Sequence, residues 1–431
     1  MIRTVFDKLF PALVLFLATC QIALAEDDAR NEVRRLVRQL NAPQLAQREA
    51  AETALLARGP SILRWLPASD DQTSAEVQQR LERIRQRLQQ AASDRSTDAS
   101  LLTLHAKDSP LSAVLQDLQK QSGNVIVDYR KPFGQPTLDI SVTFDCNQTT
   151  FWPTFDQLLD SAGLTVYPYG RAKAISVVAA SKTDKSVRNQ QASYRGPFRF
   201  APLSIVAKRD LQAQGAGSLR VTLEVMWEPR IQVLKLQQRM ADVVAIDDRG
   251  QRIPVADPTA QPEITVGNDT TAVKLDVPLQ LPSREARRIA RLEGKLLATL
   301  GGKVETFRFS ELSNVKNAER RIANATVTVE EVRKTPQGVE VRMRARFDDA
   351  GDALASHRQW IFSNPAFLES ADGKPVAFEN YETIAQSKNE VALVYSFTTG
   401  QPIDRLTFVY QTPGSIVTRG FEYRQKEIEL P

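Results

Sequence analysis

The strongest constraint on the fold is a pattern written twice between Leu101 and Ala180, forty residues apart. Ser109-Pro110 predicts a helix start, as N-cap and first-turn proline, and Leu111, Val114, Leu115 and Leu118 form its apolar stripe. Gly123 ends that helix, and Val125-Ile126-Val127 reads as a buried strand. The pattern returns with Thr150 before a helix, Phe151, Phe155 and Leu158 on its face, and Gly163 at its end. Six positions keep the register: Leu102 with Val142, Leu104 with Phe144, Leu111 with Phe151, Leu118 with Leu158, Gly123 with Gly163, and Tyr129 with Tyr169. Each half is expected to be strand–helix–strand, and Ala174 to Val178 adds a closing strand. The expected product is a small α+β module over 100–180, with both helices on one sheet face.

The wording LLTLHAKDSPLSAVLQDLQKQSGNVIVDY followed by ISVTFDCNQTTFWPTFDQLLDSAGLTVYPY resembles the short N-terminal domain of secretins and TonB-dependent receptors. The resemblance rests on the D-x-P-L-x-x-x-L-x-x-L helix, Asp108 to Leu118, and the LL-x-x-AGL-x-V ending, Leu158 to Val166. It implies a periplasmic docking module that passes contacts between proteins and has no catalytic role. No secretin pore region follows, and no run of strands long enough for an outer-membrane barrel is evident.

The start of the chain is consistent with export. Arg3 and Lys8, the apolar run Phe10 to Ala18, and a small-x-small site at Ala23 and Ala25 predict a signal peptide over 1–25. Cys20 is a candidate lipid anchor, because Leu17-Ala18-Thr19-Cys20 loosely resembles a lipoprotein box. No later segment approaches the length of a transmembrane helix. Cleavage after Ala25 leaves Cys146 as the one cysteine, so no internal disulfide can form and apolar cores must hold the chain together. Cleavage also removes Arg3, Lys8 and Asp7, so the balance becomes 54 basic against 50 acidic residues, +4. The two signs are interspersed, which gives nucleic-acid binding no support.

From Asp28 to Gln90 the pattern is helical. Val33, Leu36, Val37 and Leu40 share one helix face, Gly59-Pro60 stops a second helix, Ile62 to Leu66 makes a short turn, and Val77, Leu81, Ile84 and Leu88 stripe another. VRRLVRQLNAPQLAQREAAETALLARGPSILRWL resembles a HEAT-like repeat, of the sort found near the start of exported proteins of planctomycete-like bacteria. A helical module is therefore expected over 26–92, as a small bundle capping the next domain, with Ala91 to Ser100 as a linker.

After the polar stretch Lys182 to Gln191 the chain is strand-rich. Two tandem immunoglobulin-like β-sandwiches are expected, at 193–310 and 311–431. Leu219–Trp227 and Val339–Phe347 both alternate, turns at Asp248-Arg249-Gly250 and Ala371-Asp372-Gly373 correspond, and so do Val273–Leu281 with Val391–Phe397 and Arg291–Leu297 with Arg405–Tyr410. FRFAPLSIV at Phe198–Val206 is echoed by FRFSELSNV at Phe307–Val315 and by Phe421-Glu422-Tyr423. These triplets are expected to mark the start, middle and end of the strand-rich half, on edge or closing strands with both aromatics on one face.

The search for chemistry yields no catalytic residue, no cofactor site and no metal ligand set. His105 and His357 lie in separate modules and do not cluster. Cys146 has no paired cysteine or activating base, Asp348, Asp349 and Asp352 lack an EF-hand series, and no G-x-S-x-G elbow or P-loop occurs. Arg284, Arg287, Arg288 and Arg291 read as a solvated basic connector, and the sequons at Asn147, Asn268 and Asn324 mean little in a bacterial chain. Trp227 and Trp360 are expected to be core anchors, which leaves few aromatic platforms for sugars. The expectation is a non-enzymatic, exported docking or scaffold protein of the bacterial envelope, periplasmic or secreted, with envelope proteins as partners. Glycan binding or adhesion through the sandwiches is the alternative, and a hydrolase of unknown type is third.

Overall fold

The computed structural model describes residues 27–67, 74–181, 192–209, 217–264, 266–267, 269–355 and 358–431. The expected signal peptide, with Cys20, Ala23 and Ala25, lies outside them, as do Lys182–Gln191, His357 and Asn268. With about 24% helix and 46% strand, the chain is a multidomain α+β and β-rich protein in which sheets do most of the enclosing. Among the described residues no helix is long and apolar enough to cross a membrane. The chain divides into two compact units, one running to Arg95 and including Arg321–Asn324, the other holding the remainder.

The first unit contains α1 over residues 27–39, α2 (Leu45–Ala57) and α3 (Ala75–Arg95). Val33, Leu36 and Leu40 meet Ala51, Leu55 and Ile62, and the α3 stripe Val77, Leu81, Ile84 and Leu88 closes the core. Glu52 on α2, mostly buried, accepts from Arg80 and Arg83 on α3 at 2.9 and 3.4 Å. Helix α3 continues through Ala91–Arg95, so the expected ten-residue linker shrinks to Ser96–Ser100. The Ala, Ser and Asp there read as loose, but a helix already paired along one face carries them.

In the second unit, each half of the α+β module is strand–helix–strand. Strand β1 (Leu101–Pro110), α4 (Leu111–Ser122) and β2 (Ile126–Asp128) precede β3 (Ser141–Thr150), α5 (Phe151–Ala162), β4 (Leu164–Tyr167) and β5 (Ile175–Ala179). Gly123 and Gly163 are both left-handed, at φ 73° and 67°, as helix C-caps require. Ser109 does not cap α4. Pro110 takes the cap position, and Asp139 from the following loop accepts from the Ser112 N–H and hydroxyl at 3.0 and 2.6 Å. The single expected sheet is instead two: a β1–β3 ribbon, and a β2-β5-β4 sheet. The expected closing strand β5 is central, parallel to β2 and antiparallel to β4. Both helices and both sheets contribute to one core around Phe151, Trp152, Phe155 and Leu158.

The β-rich remainder begins with β6 (Ser193–Arg195), β7 (Phe198–Arg209), β8 (Gly217–Trp227), β9 (Gln232–Gln238), β10 (Val244–Asp247), β11 (Arg252–Ile253), β12 (Glu263–Ile264), β13 (Ala272–Gln280) and β14 (Arg288–Gly301). It continues with β15 (Val304–Phe309), β16 (Lys316–Ile322), β17 (Ala325–Thr335), β18 (Gly338–Phe347), β19 (Ala366–Glu369), β20 (Pro375–Ala377), β21 (Asn380–Gln386), β22 (Glu390–Thr398), β23 (Thr407–Pro413) and β24 (Ile416–Glu429). A four-stranded sheet, β13-β8-β7-β6, faces the sheet built on β14 across one apolar core. Further along, the sheet β16-β17-β18-β22-β21 meets β15-β23-β19-β20, where Tyr395 and Phe397 on β22 touch Phe408 on β23 with ring centroids 6.2 Å apart.

The two strand-rich lengths are not independent tandem pieces. Strand β15 follows β14 directly yet pairs with β23, and β24 follows β23 directly yet pairs with β14. The result is one antiparallel ribbon with a single register: Arg288 faces Glu429, Gly301 faces Ile416, Val304 faces Pro413, and Phe309 faces Phe408. At the crossing, the Gly302 N–H donates to the Ser415 carbonyl at 2.9 Å and the Gly414 N–H to the Lys303 carbonyl at 2.8 Å. From Arg288 to Phe309 this is on the order of 70 Å of extended chain, shared by both β-rich parts. The division at 310/311 expected from the sequence therefore fails for 416–429, which belong with β14. Sheet pairing is non-local, and Gly301-Gly302 resembles a turn. In the structure Gly301 is demanded by crowding, since a Cβ there would lie 2.9 Å from Pro413 and 3.0 Å from Gln232.

The three aromatic triplets are likewise reassigned. Phe198 packs on Phe421 at 4.6 Å and Phe200 on Tyr423 at 5.2 Å, so the first and third share one core. Phe307 and Phe309 are buried on the other strand of the ribbon.

Candidate functional site

The α+β module is welded to the β-rich part by buried polar contacts. Asp156 on α5 holds Arg199 on β7, Oδ2 to Nε at 2.7 Å, and accepts from the Tyr194 hydroxyl at 2.8 Å. Burial, then the Asp156 charge, pushes the Tyr194 phenol well above its ordinary range. Trp152 donates its indole N–H to the Pro197 carbonyl at 2.9 Å. Beside the β8–β9 turn, wholly buried Glu228 accepts from the Ser100 N–H and hydroxyl, Asn124 and Arg230 at 2.5–3.0 Å. The chain entering the module is thus pinned at Ser100.

On this fixed module four aromatic rings form a continuous platform. Tyr129 stacks on Tyr167 at 6.0 Å, Phe133 meets both edge-on at 6.1 and 5.1 Å, and Tyr169 meets Tyr167 edge-on at 5.9 Å. Phe133 is 52% exposed and Tyr169 65%, which is unusual for rings of this size already in mutual contact.

Local chemistry explains why they stand out. The Arg130 guanidinium, itself buried, grips Asp128 through Nε and Nη2 at 3.0 and 2.7 Å and reaches the Leu138 carbonyl at 3.3 Å. Hydrogen bonding to Arg130, resisted by burial, holds the Asp128 carboxyl below its usual range. The turn Lys131–Phe133 closes on left-handed Gly134, and the Gln135 side chain accepts from the Ala179 N–H at 2.8 Å. Phe133 is therefore displayed by a clamped loop. Tyr169 is displayed by the turn Tyr167-Pro168-Tyr169-Gly170-Arg171. A Cβ at Gly170 would lie 2.0 Å from the Ser176 Oγ, which accepts from the Arg171 N–H at 2.9 Å. Lys131 and Arg171 flank the rings, exposed and with no ion pair among the described residues.

Sequence reasoning used Tyr129 and Tyr169 only as a register match and passed over Phe133 and Tyr167. The available signal was Tyr-Pro-Tyr-Gly, a turn that must place at least one ring outside. The residues weighed for chemistry do not converge. His105 Nδ1 lies 2.6 Å from Asp145 Oδ1 on the exposed β1–β3 ribbon, on strands that carry none of the platform rings. Cys146 is half-buried with Sγ 3.9 Å from the Leu102 carbonyl. Asp352 pairs with Lys235 and Arg358, Asp349 receives the Gly351 N–H, and Arg288 and Arg291 pair with Glu427 and Glu293. Trp227 and Trp360 are buried. Among the described residues, no three or more His, Cys, Asp or Glu converge as metal ligands would.

Comparison with known proteins returned no match to a family model, a curated protein or a solved structure.

Proposed function

We propose that this is an exported, non-enzymatic docking protein of the bacterial envelope, carried on immunoglobulin-like sandwiches. Its α+β module engages an extended, acidic, proline-containing segment of a partner protein. The observation that carries the reading is the contiguous row Tyr129–Phe133–Tyr167–Tyr169, in which Phe133 and Tyr169 are exposed and Tyr129 and Tyr167 half-buried, beside Lys131 and Arg171, which form no ion pair among the described residues. Rows of exposed rings with hydroxyl tips accept preformed extended segments, and aromatic residues dominate interface energetics. The two cations select acidic character. The resemblance of Leu101–Ala180 to the docking domains of secretins and TonB-dependent receptors points the same way, and the N-terminal signal pattern supports export.

The test is photo-crosslinking in the producing cell, with benzoylphenylalanine in place of Phe133 or Tyr169 and, as a control, His105. The expected result is one partner peptide, rich in Asp, Glu and Pro, captured from positions 133 and 169 but not from 105. Capture that is equal at all three positions, or of peptides without acidic bias, would refute the assignment.

A further inference from the structure

A second site lies away from the platform, in the interior of the larger unit. A cavity of about 350 Å³ opens where the β8–β9 turn, the end of β23, the segment 360–365 and Lys173 meet. That volume is at the small end of ligand pockets, about 300–1,000 Å³.

Its lining is selective. Amide side chains come from three directions: Gln232, Asn364 and Gln411. Asn364 is 6% exposed, and its Nδ2 donates to the Tyr410 hydroxyl at 3.0 Å and the Thr412 hydroxyl at 2.9 Å. Both donor positions are then spent, and its Oδ1 has no protein donor among the described residues. A carbonyl oxygen so placed needs an O–H or N–H from outside the chain.

The charges nearby are already committed. Among the described residues no carboxylate lines the cavity. The Arg230 guanidinium is used on Glu228, Ser100 and the carbonyls of Ser96 and Asp98, and Lys173 lies 3.7 Å from Asp269. An ionic ligand would have to draw Arg230 or Lys173 away from these partners. A purely apolar one would strand the amides. Trp227 and Trp360 stand behind the wall, only 2% and 4% exposed, and the Trp360 N–H is spent on the Ala353 carbonyl at 2.6 Å. The wall thus joins the apolar side chains of Pro229, Val304 and Pro365 to neutral groups that both donate and accept, and this combination matches a sugar ring with its C–H faces and hydroxyl rim.

We infer that this cavity binds a small neutral polyhydroxylated ligand, a mono- or disaccharide, at the junction of the α+β and β-rich parts. The experiment uses the full chain with glucose, galactose, N-acetylglucosamine, cellobiose and chitobiose, and with glucuronate and inorganic phosphate as charged controls, each at ~10 mM. Thermal midpoint and tryptophan emission are both recorded, since two of the four tryptophans line the cavity. At least one neutral sugar is expected to raise the midpoint and shift the emission. Gln411→Leu and Gln232→Ala, which spare the buried Asn364 network, are each expected to weaken it about tenfold. Silence from every neutral sugar, binding of the charged controls alone, or unchanged affinity in both variants would overturn the inference.

Discussion

Asp156 and Arg199 are each only 2% exposed, and their pairing is the sharpest residue-scale commitment in the molecule. One strong contact links them, while among the described residues Asp156 Oδ1 and Arg199 Nη2 have no partner. Such a pair costs desolvation twice, so its value lies in how badly either half tolerates being left alone. Asp156→Ala leaves the guanidinium with only Glu224, 3.8 Å away, and removes the Tyr194 acceptor, and is expected to destabilise the chain by about 3 kcal/mol. Asp156→Leu with Arg199→Met, which removes both charges, is expected to recover most of that. Urea unfolding of the two variants checks it, and a loss below about 1 kcal/mol for the single variant would show the pair to be incidental.

At the scale of elements, the ribbon Arg288–Phe309 against Thr407–Glu429 sets the architecture. Its crossing is an ordinary stretch of ladder, so the Gly302 and Gly414 amides should exchange as slowly as those of the flanking strands. Hydrogen exchange read by mass spectrometry over 301–304 and 413–416 tests this, and rates typical of an exposed linker would contradict the continuous ribbon. Much at this scale was legible in the sequence. The alternation of Leu219–Trp227 and Val339–Phe347, the turns at Gly250 and Gly373, and the helix ends at Gly123 and Gly163 are local, and local chemistry determines them. Partner choice is another matter. Phe421 faces Leu296 and packs on Phe198, and nothing in residues 416–429 alone says which edge they will seek. The α4 cap failed for the same reason, because Asp139 arrives from outside the helix. The platform was half legible: its rings were visible as letters, but exposure is a property of the assembled surface.

For the molecule as a whole, rigidity is the common theme of the larger unit. Glu228 pins the entry of the α+β module, Asp156 and Trp152 pin its second helix, and the ribbon ties the β-rich parts to each other. Rings held by clamped loops on such a frame lose little conformational freedom on binding. The measurement that tests this account most directly is the affinity of the full chain for a short alternating Glu-Pro peptide, followed by fluorescence anisotropy. Binding that weakens with salt, is absent for the matching Lys-Pro peptide, and falls about 10–30-fold in the Phe133→Ala, Tyr169→Ala double variant is the predicted result. Equal affinity for both peptides, or no loss in the double variant, would contradict it.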